Sequence, residues 1–145
     1  MPIDSRLLID QFPTPTAVFE GAEHIVVAAS ASYRQMIGDR DPIGRPLSEH
    51  VPELADEGFV RLVDEVFSSR RMTTGTGVLA RWDEDGDGVK EEHFVDYYLQ
   101  PLRNEEGKVR RVLVQIVDAT ERVRADQADR FLAEVTATPV MYAAS

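Results

Sequence analysis

The chain has 145 residues, 26 acidic against 16 basic side chains, a formal net charge of −10 and no cysteine. That length holds one domain with a real core, and the acidic balance argues against nucleic acid and anionic membrane as partners, since both demand clustered Lys and Arg. The missing cysteine excludes disulfides, thiolate catalysis and chromophores held through a cysteinyl sulfur.

The opening Met-Pro-Ile-Asp-Ser-Arg lacks the basic region and apolar run of a signal peptide. No run approaches the ~18 apolar residues of a membrane span. The expectation is a cytoplasmic protein, or a soluble piece of a larger one. Residues 4–12 read as a short amphipathic helix, with Asp4 or Ser5 as cap and Leu8 and Phe12 stacked at i, i+4. Pro13 and Pro15 stop it. A helix this short must pack on something: its own domain, or a second chain.

Ala17–Glu20 and His24–Ala29 are two strands joined at Gly21. Ser30 caps a helix running to Ile37, with Tyr33, Met36 and Ile37 as its apolar stripe and Gly38 ending it. Residues 39–52 hold Pro42, Pro46 and Pro52 and read as irregular, with room for one helical turn. Glu57–Arg71 is the longest helix within the domain. Phe59, Leu62, Val63, Val66 and Phe67 recur on one face, with Asp64, Glu65, Arg70 and Arg71 opposite.

Val78–Trp82 is a strand, Asp83–Gly88 a loop and Phe94–Leu102 the next strand. After the turn at Gly107, Val109–Asp118 forms the last strand, with Val112, Val114 and Ile116 making one wholly β-branched face. Thr120 reads as the N-cap of a following helix, with Glu121 in its first turn. Strands gathered at both ends around central helices suit one antiparallel sheet covered on one face. The fold class is α+β, and the first two strands join the last three in the order 2-1-5-4-3.

The hairpin His93–Asp118 closing on Asp118-Ala119-Thr120-Glu121-Arg122 resembles the end of a PAS sensor domain. Ala17-Val-Phe-Glu-Gly-Ala-Glu-His, Ala31-Ser-Tyr-Arg-Gln-Met-Ile-Gly, Ile43-Gly-Arg-Pro-Leu and Pro52-Glu-Leu extend the resemblance over residues 13 to 122. The whole is similar to PAS domains at the front of bacterial sensor histidine kinases. The resemblance implies a five-stranded PAS sheet and a signalling helix. It divides the chain into a helical cap (1–12), a PAS domain (13–119) and a signalling helix with tail (120–145). It also implies a relay through Asp118, Thr120, Glu121 and Arg122.

Chemical signals are sparse. His24, His50 and His93 lie on different elements, and none sits in a nucleophile motif. Some PAS domains bind haem through a His of the long helix; Glu57–Arg71 carries none, which leaves His50 as the only candidate. Haem is therefore disfavoured, flavin more sharply because its cysteine is missing, and no cofactor is expected. Asp83, Asp85, Asp87 and Gly88 match the first half of a calcium loop, but Phe94 stands where a bidentate Glu is required. A pair of Asp/Gly turns accounts for the same residues, so no metal site is expected.

What remains is a sheet–helix interior that is either fully packed or holds an apolar cavity. Its candidate lining is Tyr33, His50, Phe59, Val63, Phe67, Trp82, Tyr97, Leu99, Val114 and Ile116. The reading is a non-catalytic sensor or interaction module in signal transduction. Its expected partners are a small apolar ligand, a second copy of the chain through Leu8, Phe12, Phe131 and Leu132, and an output domain or protein such as a histidine kinase. Two other readings stand beside it: a purely structural dimerisation module, and a small cavity enzyme.

Overall fold

Alternating buried and exposed residues build one antiparallel sheet. Strand β1 (Thr16–Glu20) pairs with β2 (Ile25–Ala29) across a turn that begins at Gly21. The remaining strands are β3 (Thr73–Trp82), β4 (Glu91–Arg103) and β5 (Val109–Asp118). The sheet order is β2-β1-β5-β4-β3, the expected one. The computed structural model describes residues 5–56 and 58–137, with side chains left out at 5–7, 56 and 137. The expected cap at Asp4, the helix start at Glu57 and the break at Pro139 lie outside the described residues.

Helices fill the gap between β2 and β3. In α2 (Ala31–Met36) the Ser30 hydroxyl accepts the Tyr33 N–H at 3.1 Å, as its position before the apolar stripe predicts. Gly38 then turns the chain at φ +78°. A Cβ there would lie 2.5 Å from the Glu84 carbonyl oxygen, so only glycine allows this approach.

The proline-rich segment departs from the irregular reading. It holds two short helices, α3 (Leu47–His50) and α4 (Pro52–Asp56). Each begins at or beside a proline, whose fixed φ and missing N–H suit a helix start. The long helix α5 covers Phe59–Ser69, shorter at both ends than expected. Gly58 precedes it at φ +93°, and Arg70 ends it in the left-handed region at φ +61°.

Strands β3 and β4 are longer than the sequence reading has them. Gly75 and Gly77 belong to β3, which carries a register shift between Gly75 and Val78. Gly75 lies opposite Tyr97, and an added Cβ would overlap that ring. The core face of the sheet presents Phe19, Leu99, Val112, Val114 and Ile116, and Val63 and Val66 of α5 cover it. On the opposite face, α1 (Ser5–Asp10) packs beside β2. The last helix, α6 (Thr120–Ala137), begins at the end of β5. Among the described residues, no helix is long and apolar enough to cross a membrane.

Candidate functional site

Between α4, α5 and strands β3–β5 lies an apolar cavity of about 80 Å³. Phe59 and Leu62 of α5 form its roof. Val95, Tyr97 and Ile116 form its floor, and Trp82 and Leu54 close its sides. The indole is pinned because its N–H donates to the Met36 carbonyl at 2.8 Å. Among the described residues, Tyr97 supplies the only titratable side chain in this lining.

Of the ten residues expected to line a pocket, the structure brings Phe59, Trp82, Tyr97 and Ile116 together here. Val63, Leu99 and Val114 are fully buried in the packed core instead. Phe67 stacks on His24, ring centroids 5.3 Å apart, and His24 bonds Asp64 of α5 at 2.6 Å. Tyr33 and His50 bond to each other. His50 Nδ1 lies 3.1 Å from the Pro46 carbonyl, which can only accept. Nδ1 therefore carries the proton, and Nε2 accepts from the Tyr33 hydroxyl at 3.0 Å. Burial lowers the His50 pKa and raises that of Tyr33, so both stay neutral. The lining residues the sequence reading leaves out are Leu54, Leu62, and Val78, Leu79 and Ala80 of β3. Val95, which alternates with Tyr97 and so shares its face of β4, lines the cavity as that alternation predicts.

Directly behind the cavity floor lies the root of α6. In β4, Val95 and Tyr97 face the cavity, so Asp96 between them faces the other side. Asp96 is buried, and both its oxygens receive the Arg122 guanidinium at 2.6 Å. The Gly77 N–H also donates to it at 2.9 Å. The Arg122 fork first, and the Gly77 N–H second, hold the Asp96 carboxyl at about 2. Next along α6, Val123 meets Gly77, where an added Cβ would sit 3.3 Å from its methyl group.

Asp118 and Thr120 complete the root, in roles that differ from the expected ones. Asp118 Oδ1 accepts the Thr120 N–H at 2.9 Å and its hydroxyl at 2.6 Å. Thr120 lies inside the helix, and its oxygen accepts the Phe94 N–H at 3.0 Å, which ties α6 to β4. The carboxylate acceptor at the helix start is thus Asp118, and the threonine is a bracket to the sheet. Asp118 Oδ2 meets His93 Nδ1 at 3.2 Å. Partial burial works to raise the Asp118 carboxyl, but the Thr120 and His93 hydrogen bonds outweigh it and hold it below its ordinary value. Glu121 is exposed.

The calcium-like loop is closed by its own backbone. Asp83 accepts N–H groups from Gly86, Asp87 and Gly88 at 2.7, 3.2 and 2.8 Å. Asp87 accepts from Val89 at 2.9 Å. Oxygens engaged in this way are turned inward rather than toward a cation. Millimolar calcium is therefore expected to leave the melting temperature unchanged within ~1 °C. A rise of several degrees that disappears in Asp85→Ala would show the loop to be a calcium site.

The architecture defines a cavity-bearing α+β module with a helix rooted on the back of its sheet. The family model described as PAS fold matches residues 9–124, and the chain belongs to that family. Solved structures agree. An RNA-binding light-oxygen-voltage receptor superposes with a TM-score of 0.66 at 18% identity, over 94% of this chain and 41% of the receptor. The PAS domain of Bordetella pertussis BvgS gives 0.65 at 21% identity, over 90% of this chain and 95% of that one. A sensory box sensor histidine kinase from Vibrio cholerae gives 0.55 at 18% identity, over 79% and 91%. This chain thus spans less than half of the receptor's length and nearly all of the other two.

Proposed function

We propose that this chain is a non-catalytic sensor module. A small apolar ligand in the cavity acts on β4, and β4 acts on α6. The observation that carries this reading is the alternation in β4. Val95 and Tyr97 line the cavity, while the intervening Asp96 grips Arg122 behind it. A side-chain shift at the floor moves the strand that holds the helix, and packed interfaces of this kind switch between discrete arrangements. Asp118 and Thr120 set the angle at which α6 leaves the sheet. The PAS family supports the sensor class, and the kinase and receptor neighbours are proteins in which such a fold occurs.

A cavity of about 80 Å³ suits a ligand of a few heavy atoms and is far below the ~300 Å³ or more of typical cofactor sites. Among the described residues no imidazole lines it, and both nitrogens of His50 are engaged elsewhere. Purified protein is expected to be colourless; a Soret band or a flavin spectrum at substantial occupancy would refute this. Native mass spectrometry of fresh protein should show a small apolar adduct that is lost in Ala80→Leu, which fills the cavity. Bare protein with and without that substitution would remove the ligand-sensing reading. It would leave the structural dimerisation module, for which exposed Phe131, Leu132 and Val135 speak. The largely apolar lining disfavours a cavity enzyme, because among the described residues Tyr97 is its one titratable side chain and no base stands beside it there.

A further inference from the structure

We propose that Glu84, Glu91 and His93 form a binding site for one divalent transition-metal ion of the zinc class, at the far end of the β3–β4 hairpin. One ligand atom from each lies within 4.8 Å of the others. The decisive atom is His93 Nε2. It is buried and has no hydrogen-bond partner. The Glu91 carboxylate stands 3.7 Å away, beyond hydrogen-bond reach. A buried ring nitrogen without a partner is uncommon and calls for a physical cause.

The rest of the ring supplies that cause. Nδ1 faces the Asp118 carboxylate at 3.2 Å, and a carboxylate can only accept. Nδ1 therefore carries the proton, and Nε2 turns its lone pair toward the two glutamates. A carboxylate on the far nitrogen is the usual means of orienting an imidazole that binds metal. Trp82 fixes the ring plane by stacking on it at 3.9 Å and 12°.

One nitrogen and two carboxylate oxygens match the donor types that zinc takes, with a water to complete its four ligands. Calcium would take six to eight oxygens and gain little from an imidazole. Bonds of ~2.1 Å require the two glutamate side chains to draw in by about 1 Å, which loop and strand-end positions allow. This site lies beside the Asp83–Gly88 turn but uses different atoms. It is one that the sequence, with its ligands on a loop and a strand, does not announce. Because Asp118 Oδ1 also holds Thr120, the metal and α6 share one carboxylate. That coupling rests on the sensor reading; metal binding does not.

The test is a zinc titration of the whole chain against a chromophoric chelator, repeated with cobalt to read a ligand-field spectrum. The expected result is one equivalent bound at micromolar affinity or tighter. His93→Gln should weaken it about 100-fold and Asp118→Asn about tenfold. His24→Gln should leave it unchanged, and millimolar calcium should not compete. Glu84→Gln with Glu91→Gln, two surface-reaching carboxylates, tests the site without touching the Trp82 stack. Equal affinity in His93→Gln, or no uptake below millimolar zinc, would overturn the proposal and leave His93 as a structural residue between Asp118 and Glu91. Effective calcium competition would overturn the imidazole assignment. The oligomeric state with and without zinc then reads the coupling separately: binding without any change there refutes the link to α6 and leaves the site standing.

Discussion

Arg40→Ala is expected to lower the stability of the domain by about 3 kcal/mol, a fall of roughly 10 °C in melting temperature. Arg40 joins four segments. Its guanidinium donates to both oxygens of Glu53, at 2.9 and 2.7 Å, which anchors α4. It also donates to the His50 carbonyl at 2.8 Å, at the end of α3, and to the Asp83 carbonyl at 2.7 Å, after β3. Glu53 returns to the same loop by accepting the Asp83 N–H at 2.9 Å. Without the arginine, the buried Glu53 carboxylate keeps one N–H, and two carbonyls lose a charged donor. The cavity wall depends on this joint, because Leu54 follows Glu53.

The same joint has a pH signature. The Arg40 hydrogen bonds outweigh burial and bring the Glu53 carboxyl down from 4.5 to about 2. A carboxyl depressed in the folded state adds stability that is complete above its unfolded value and is lost as pH falls toward the folded one. Wild-type stability should therefore decline from pH ~4.5 to ~2 by an amount that Arg40→Ala lacks. Thermal melts of both proteins across that range give the comparison. A melting temperature within ~2 °C of wild type at neutral pH, with the acid slope intact, would show that the joint carries little.

How much of this was legible follows from how local each feature is. Strands β1, β2 and β5 and the helix α5 announce themselves by period, and the Ser30 cap by one residue type in one place. The beginning of β3 does not. Thr73-Thr74-Gly75-Thr76-Gly77 reads as loop because glycine is depleted in strands, yet here Gly75 makes room for the Tyr97 ring across the ladder. Residues 39–52 read as irregular because prolines are taken as breakers, although Pro46 and Pro52 open helices.

The cavity residues were legible only in part. Alternation selects Tyr97 and Ile116, but it equally selects Leu99 and Val114, which lie farther along the same strands under tighter packing. Pattern gives the face of a strand and not the place along it where packing is incomplete. Arg40 with Glu53, Asp96 with Arg122, and His93 with Asp118 are pairs made by the fold. Separations of 13, 26 and 25 residues leave no periodic trace.

The second large effect belongs to α6. Val123 rests against the sheet at Gly77, but every residue from Arg124 to Thr136 is exposed. Phe131 is 65% exposed, Leu132 59% and Val135 49%. Within the described residues the helix thus leaves its own domain rather than folding back on it, with three large apolar side chains on adjoining positions. Leu8 of α1, 49% exposed, adds to the apolar surface, while Phe12 is half-buried beside it. Such side chains on a charged helix favour burial against the same helix of a second chain, each contributing about 1.5–3 kcal/mol when fully covered. The intact chain is expected to sediment as a dimer. Phe131→Asp should weaken it about 100-fold or more, because a carboxylate would replace an anchor and be buried without a partner. Truncation after Arg122 should give a folded monomer, since it keeps the Asp96–Arg122 fork and the Thr120 bracket. If all three sediment as one species, α6 is not the dimer contact, and a signal leaving along it needs another receiver.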